Sequence, residues 1–207
     1  MDAPLLAFIG VSVLLAITPG PDMAVVTKNA LAHGRRGVVL TTGGIALALC
    51  VWVGATAVGL SALLRTSGEL LLLLKLVGAA YLAYLGVRTL LDSRRRPPDL
   101  MAGTGPAAPA HAVFRQGFVS AISNPKLGVF FVTFLPQFVL PGQPVLPRLL
   151  ELGVIFVLIG LTWLSCYGLF VTRLRDVITA PRVRQWMQRV TGVVLLGFGA
   201  RLALERV

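Results

Sequence analysis

Apolar residues fill six stretches of the chain, near residues 4 to 26, 38 to 64, 70 to 91, 114 to 140, 149 to 172 and 186 to 204, with polar and charged residues gathered between them. Each stretch supplies the roughly 20 helical residues needed to cross a hydrocarbon core of about 30 Å. Strands of a membrane barrel would instead alternate over about ten residues. Runs such as Leu70 to Leu74 do not alternate. The pattern therefore predicts an all-α, polytopic membrane protein with six transmembrane helices.

Two of these helices are interrupted in their interior. The first is broken by Thr18-Pro19-Gly20-Pro21-Asp22 and the fourth, at the corresponding place, by Ser123-Asn124-Pro125-Lys126. Proline lacks the backbone donor and clashes with the preceding turn, so each break frees carbonyls and amides that hydrocarbon cannot solvate. Such groups persist only against protein or a wet cavity, and paired breaks are the mark of a transporter.

A hydrophilic stretch from Asp92 to Ala112, with Arg94-Arg95-Arg96-Pro97-Pro98 followed by Gly103, Gly105, Pro106 and Pro109, reads as a flexible linker. It divides the chain into a first three-helix unit, 1–91, and a second, 113–207, with 92–112 between them. Three spans per half put the second half into the membrane from the opposite side, which predicts a 3+3 inverted repeat with helices one and four broken. Ala16-Ile17-Thr18-Pro19-Gly20-Pro21 lies over Ala121-Ile122-Ser123-Asn124-Pro125-Lys126 without gaps, although the prolines miss by one position. Small residues at Ala46, Cys50 and Gly54, and at Gly153, Gly160 and Gly168, mark expected close helix contacts.

Composition agrees with a bilayer and adds an orientation. The chain has 207 residues, 56% of them hydrophobic and 13% charged, with mean hydropathy +0.84. That is too apolar for the surface of a soluble domain. A net charge of +11 would suit a nucleic-acid partner, but the basic residues are spread over loops between spans, so no such partner is expected. Twelve of them (Lys28, Arg35, Arg36; Arg94, Arg95, Arg96, Arg115; Arg173, Arg175, Arg182, Arg184, Arg189) follow spans one, three and five, against Arg65, Arg148, Arg201 and Arg206 on the other side. The positive-inside rule places the loops after helices one, three and five in the cytoplasm and both termini outside it. The start Met1-Asp2-Ala3-Pro4 lacks the basic region of a cleaved signal, so the first segment is expected to remain.

The breaks carry the candidate chemistry. A broken helix offers unpaired amides at one end and bare carbonyls at the other, a polar site that needs few polar side chains and suits an amino-acid zwitterion. Asp22 and Lys126 follow the two breaks, and a charge at the bilayer centre costs at least about 2.5 to 3.5 kcal/mol. Asp22 either caps the following half-helix at the interface or lines a pathway, where it would attract ammonium or titrate. Lys126 either snorkels to the interface or attracts a substrate carboxylate. Thr18, Ser123 and Asn124 either satisfy freed backbone groups or bond substrate directly. Lys75, Arg88 and Arg201 lie nearer span ends and are left out of the site. Tyr81, Tyr84, Trp163 and Tyr167 fit a lipid-facing belt or pocket walls equally well.

Cys50 and Cys166 lie within spans two and five and read as small packing residues. His33 and His111 lie in loops, so neither a metal site nor a hydrolase base is expected in the membrane. No Gly-x-x-x-x-Gly-Lys run is present to bind phosphate. The chain is therefore read as a non-enzyme with no cofactor.

Taken together, Ala16-Ile17-Thr18-Pro19-Gly20-Pro21-Asp22, Gly34 and Gly37 with basic residues in the following loop, Leu76-Val77-Gly78-Ala79-Ala80-Tyr81-Leu82 with Gly86, and Gly117-Phe118 leading to Asn124-Pro125-Lys126 resemble the LysE/RhtB family of amino-acid exporters. The resemblance covers nearly the whole chain, except that the long Arg- and Pro-containing linker is not a signature of the family. It implies a multi-pass protein of the bacterial inner membrane that expels amino acids using the proton motive force. It carries functional positions onto Pro19, Gly20, Pro21, Asn124, Pro125 and Lys126. With Asp22 the one deep acidic residue, neutral amino acids or derivatives are the expected cargo. A heavy-metal cation exporter would want clustered acidic or thiol ligands, and a membrane-embedded enzyme or thiol relay would want a base or paired thiols. A homo-oligomer is compatible with the sequence but not required by it.

Overall fold

The computed structural model describes residues 3–63, 108–140 and 142–173, together with individual helical positions between 76 and 91 and between 185 and 200. Most of expected spans three and six and of the linker therefore lies outside the described residues. Among the described residues every regular element is helical. They are α1 (Ala3–Ile17), α2 (Pro21–Leu63), α3 (Ala110–Ile122), α4 (Pro125–Val129) and α5 (Val145–Arg173). A π-helical turn at Phe130–Phe134 and a 3₁₀ turn at Leu135–Phe138 prolong α4. The helix α3 starts inside the stretch expected to be linker, at Ala110.

The helix α2 is not one rod. Gly34, at φ 58° and ψ −143°, interrupts it. A Cβ placed on Gly37 would lie 2.0 Å from the Asn29 carbonyl oxygen, and the Asn29 side-chain amide donates to Thr41 Oγ1 at 2.9 Å. Residues 12 apart in a straight helix would be separated by about 18 Å. The chain therefore folds back at Gly34, and α2 is two limbs, 21–33 and 35–63. The expected loop between spans one and two, near 27–37, shrinks to that single residue. Lys28 is exposed within the first limb. Glycine is needed here because side chains rarely adopt a positive φ.

The expected first span thus corresponds to α1, a break at residues 18–20 and the limb 21–33. The expected fourth corresponds to α3, a break at Ser123 and Asn124, and the segment Pro125–Phe138, bent by 47°. Pro21–Leu60 of α2 and Val145–Arg173, the whole of α5, each contain a stretch long and apolar enough to cross a membrane. The outer faces of these helices are apolar too: Leu47, Val51 and Val58 on α2, and Leu150, Val154 and Leu158 on α5, are all exposed. An apolar exterior on an apolar core requires a hydrocarbon solvent.

The core holds Phe8, Phe130, Phe131, Phe134 and Phe156, with the Phe130 and Phe156 rings stacked at 4.2 Å. Glycines also set the crossing of α2 with α3. A Cβ on Gly44 would come within 2.0 Å of the Phe114 carbonyl oxygen, and one on Gly117 within 2.2 Å of the Thr41 carbonyl oxygen. The backbones of α2 and α3 touch there.

The small-residue expectation is met on one helix and corrected on another. Added Cβ atoms on Gly153 and Gly168 would meet Val53 and Val38 at 2.6 and 2.7 Å, so α5 packs closely at those two, whereas one on Gly160 would reach Leu49 at 3.9 Å, an ordinary contact. Gly54 has open space around it and Cys50 is exposed. The contact face of α2 runs through Gly44, about 200° around the helix from Ala46, because two residues turn a helix by that amount. Cys166 is exposed as well, so neither cysteine serves the packing role expected of it.

Candidate functional site

The two breaks are built alike. α1 ends at Ile17 and α3 at Ile122. The next residue of each, Thr18 or Ser123, turns its hydroxyl back to the carbonyl four residues earlier, Leu14 or Val119. Each second half then opens on a proline, Pro21 or Pro125, at the first helical position, where a missing N–H costs nothing. A charged residue follows each: Asp22 after Pro21, and Lys126 after Pro125. The first break holds three residues and the second two, which explains why the prolines fell out of register by one. Aligned on those prolines, Asp22 and Lys126 occupy the same position with opposite charge.

These two side chains cross from one break to the other. Asp22 is 8% exposed; its Oδ1 accepts from the Ser120 hydroxyl at 2.6 Å and its Oδ2 from the Asn124 amide at 2.7 Å. It is therefore buried against α3 rather than capping at an interface. Asn124 works in both directions, because its Oδ1 also accepts from the Lys126 backbone N–H at 3.0 Å and caps α4. The Lys126 ammonium donates to the carbonyl oxygens of Leu15 at 3.1 Å and Thr18 at 3.2 Å. It points into the bundle, not along a snorkelling path. Among the described residues Asp22 and Lys126 make no direct ion pair; each charge is solvated by the other segment's polar groups.

The reason these carbonyls are available lies in the sequence. In a continuous helix the Leu15 carbonyl would accept from residue 19 and the Ile17 carbonyl from residue 21. Both are prolines and have no N–H to give. The negative end of the α1 dipole is added to those bare oxygens, and a cation is favoured there.

Thr18, Gly20, Asp22 and Lys126 line a cavity of about 30 Å³ together with apolar residues that include Ile45, Leu49, Phe156 and Leu164. That volume holds one or two waters. A Cβ on Gly20 would sit 3.4 Å from Lys126 Nζ, so the break is packed against the ammonium. Pro19, Pro21, Ser123, Asn124 and Pro125 shape the breaks without lining the cavity.

Ser120 escaped the sequence reading, although its spacing four residues before Asn124 puts both on one helical face. The Leu15 carbonyl escaped as well, since a backbone acceptor has no sequence signature beyond the proline that frees it. Tyr167 turns toward the first limb of α2: its hydroxyl pairs with Thr27 Oγ1 at 2.9 Å, and Trp163 stacks on it at 6.2 Å. Tyr84 is exposed. Tyr81, Lys75, Arg88 and Arg201 lie outside the described residues. Among the described residues no three His, Cys, Asp or Glu side chains gather in a group that could hold a metal ion.

Comparison with known proteins supplies the family. The chain is 30% identical to the uncharacterized membrane protein YrhP of Bacillus subtilis, over 97% of this chain and 99% of the relative. It is 28% identical to the homoserine/homoserine lactone efflux protein of Salmonella typhimurium, over 97% and 96%. It is 29% identical to the leucine efflux protein of Salmonella choleraesuis, over 93% and 91%. No solved structure gives a significant match. The model of the LysE type translocator matches residues 13–206. With that match running through both breaks and nearly the full length, the chain belongs to the LysE type translocator family, whose members are transporters and not enzymes.

Proposed function

We propose that this protein exports neutral amino acids or close derivatives from the cytoplasm across the bacterial inner membrane, driven by the proton motive force. The observation that carries the reading is the meeting of the two breaks, with Asp22 and Lys126 of opposite charge at one small cavity. A zwitterion presents the complementary pair: its carboxylate suits Lys126, and its ammonium suits Asp22 and the bare carbonyls. The apolar remainder of the cavity, Ile45, Leu49, Phe156 and Leu164, favours a side chain without charge. The names of the relatives, homoserine and leucine efflux proteins, point the same way.

In this reading the six spans form a 3+3 inverted repeat, 1–91 and 113–207, that rocks about the facing breaks. The matched proline–charge pairs support that repeat. The Gly34 turn with Arg35 and Arg36 beside it, and the basic segments after spans three and five, face the cytoplasm, so cargo enters from that side.

The test is overexpression followed by efflux and growth-tolerance measurements on a panel of amino acids and analogues. Export of at least one neutral amino acid is expected, and its loss in Asp22→Asn and Lys126→Ala at normal expression. A panel with no exported compound would defeat the reading. Normal export by both variants would remove these two residues from the site.

A further inference from the structure

In the closed bundle, the place that best suits a substrate ammonium is already filled by the protein's own ammonium. Pro19 deprives the Leu15 carbonyl of its helical donor, and the break leaves the Thr18 carbonyl turned to the same point; Lys126 Nζ lies 3.1 and 3.2 Å from the two. An α-amino group is the same chemical species, a primary ammonium with three donors. The cavity beside it is about 30 Å³, far below the roughly 300 Å³ of the smallest ordinary ligand clefts, and Lys126 is part of its wall. Admitting an amino acid therefore requires the lysine side chain to withdraw. Among the described residues lining the cavity, the charged groups are Asp22 and Lys126, so the exchange of one ammonium for another leaves the charge there balanced.

Resting on the export reading above, we propose that the carbonyls of Leu15 and Thr18 are the subsite for the substrate's primary ammonium, and that Lys126 occupies it as a resident competitor whenever the carrier returns empty. Loading displaces Lys126 from the carbonyls, and the freed lysine meets the substrate carboxylate. Unloading restores it. The lysine spares the empty carrier a pair of bare carbonyls in an apolar bundle; without it carboxylate binding weakens for efflux and exchange alike, and the empty carrier in addition resets poorly.

The experiment uses the purified full-length protein in proteoliposomes with labelled leucine and homoserine, measuring net efflux and amino-acid exchange separately. Exchange cycles only loaded carriers, whereas net efflux needs the empty return. Lys126→Met is expected to lower net efflux at least about tenfold more than exchange, equivalent to about 1.4 kcal/mol on the return step alone. In Lys126→Ala, n-propylammonium should refill the subsite in the empty carrier and raise net efflux toward the level of exchange, without raising exchange. N-acetylleucine, which has no ammonium, should not exchange.

If the wild type moves neither amino acid, the export reading itself fails. If the wild type works, equal losses of efflux and exchange in a Lys126→Met protein that melts like wild type overturn the inference alone. So does full retention of both, a folded Lys126→Ala protein that n-propylammonium leaves unchanged, or exchange of N-acetylleucine at the leucine rate.

Discussion

The bond from the Asn124 amide to the Asp22 carboxylate joins the two breaks, and its strength can be isolated by a double-mutant cycle of Asp22→Ala and Asn124→Ala. Asn124 has two duties, so its single variant mixes two losses. Its cap on the Lys126 N–H is worth about 1 kcal/mol. The 2.7 Å bond to a buried carboxylate is worth about 1.5–3 kcal/mol. Asn124→Ala alone should thus cost about 2.5–4 kcal/mol. The cap is lost equally with or without Asp22, so it cancels in the cycle and leaves the bond. Hydrogen bonds between membrane helices average only about 0.6 kcal/mol and reach about 1.7. A charged acceptor held by Ser120 on its other oxygen should exceed that average, with a coupling of about 1.5–3 kcal/mol. Reversible unfolding in mixed micelles, followed by circular dichroism, gives the four free energies. A coupling at or below about 0.6 kcal/mol would refute the claim that the Asp22 charge is held by the second break.

Four further substitutions have expected outcomes in the same unfolding assay. Gly44→Ala puts a methyl group against the α3 backbone and should cost about 1–3 kcal/mol or more, while Gly54→Ala, in open space, should gain about 0.5–1 kcal/mol. Gly34→Ala forces a side chain into φ 58° and should cost about 1–3 kcal/mol. Tyr167→Phe removes the hydroxyl shared with Thr27 and should cost about 0.6 kcal/mol, with the fold intact by circular dichroism.

The breaks, the charges behind them and the helical class were legible because proline chemistry and hydropathy act locally. Pro19 and Pro125 interrupt a helix whatever surrounds them. The direction of Asp22 and Lys126 was not legible, since whether a charge snorkels or turns inward depends on the acceptors and donors another segment brings. Ser120 and the Leu15 carbonyl are such groups. The α2 contact face was misjudged for a related reason: small residues recur around the whole helix, and only the position of α3 selects Gly44 over Gly54. The loop expected near 27–37 disappeared because Lys28, Arg35 and Arg36 mark polarity, not the end of a helix. Gly34 alone makes the turn.

That one-residue turn also restricts how the molecule can deform. With Gly37 seated on the Asn29 carbonyl and Asn29 bonded to Thr41, the limbs 21–33 and 35–63 have no slack between them. Through Gly44 and Gly117 the second limb is keyed to α3 as well. A swing of the limb 21–33 about the first break must then be transmitted as a lever stroke to α3, whose end is the second break. In the rocking proposed above, the joint at residues 18–20 and the joint at Ser123 and Asn124 would be geared together, neither opening far while the other stays shut.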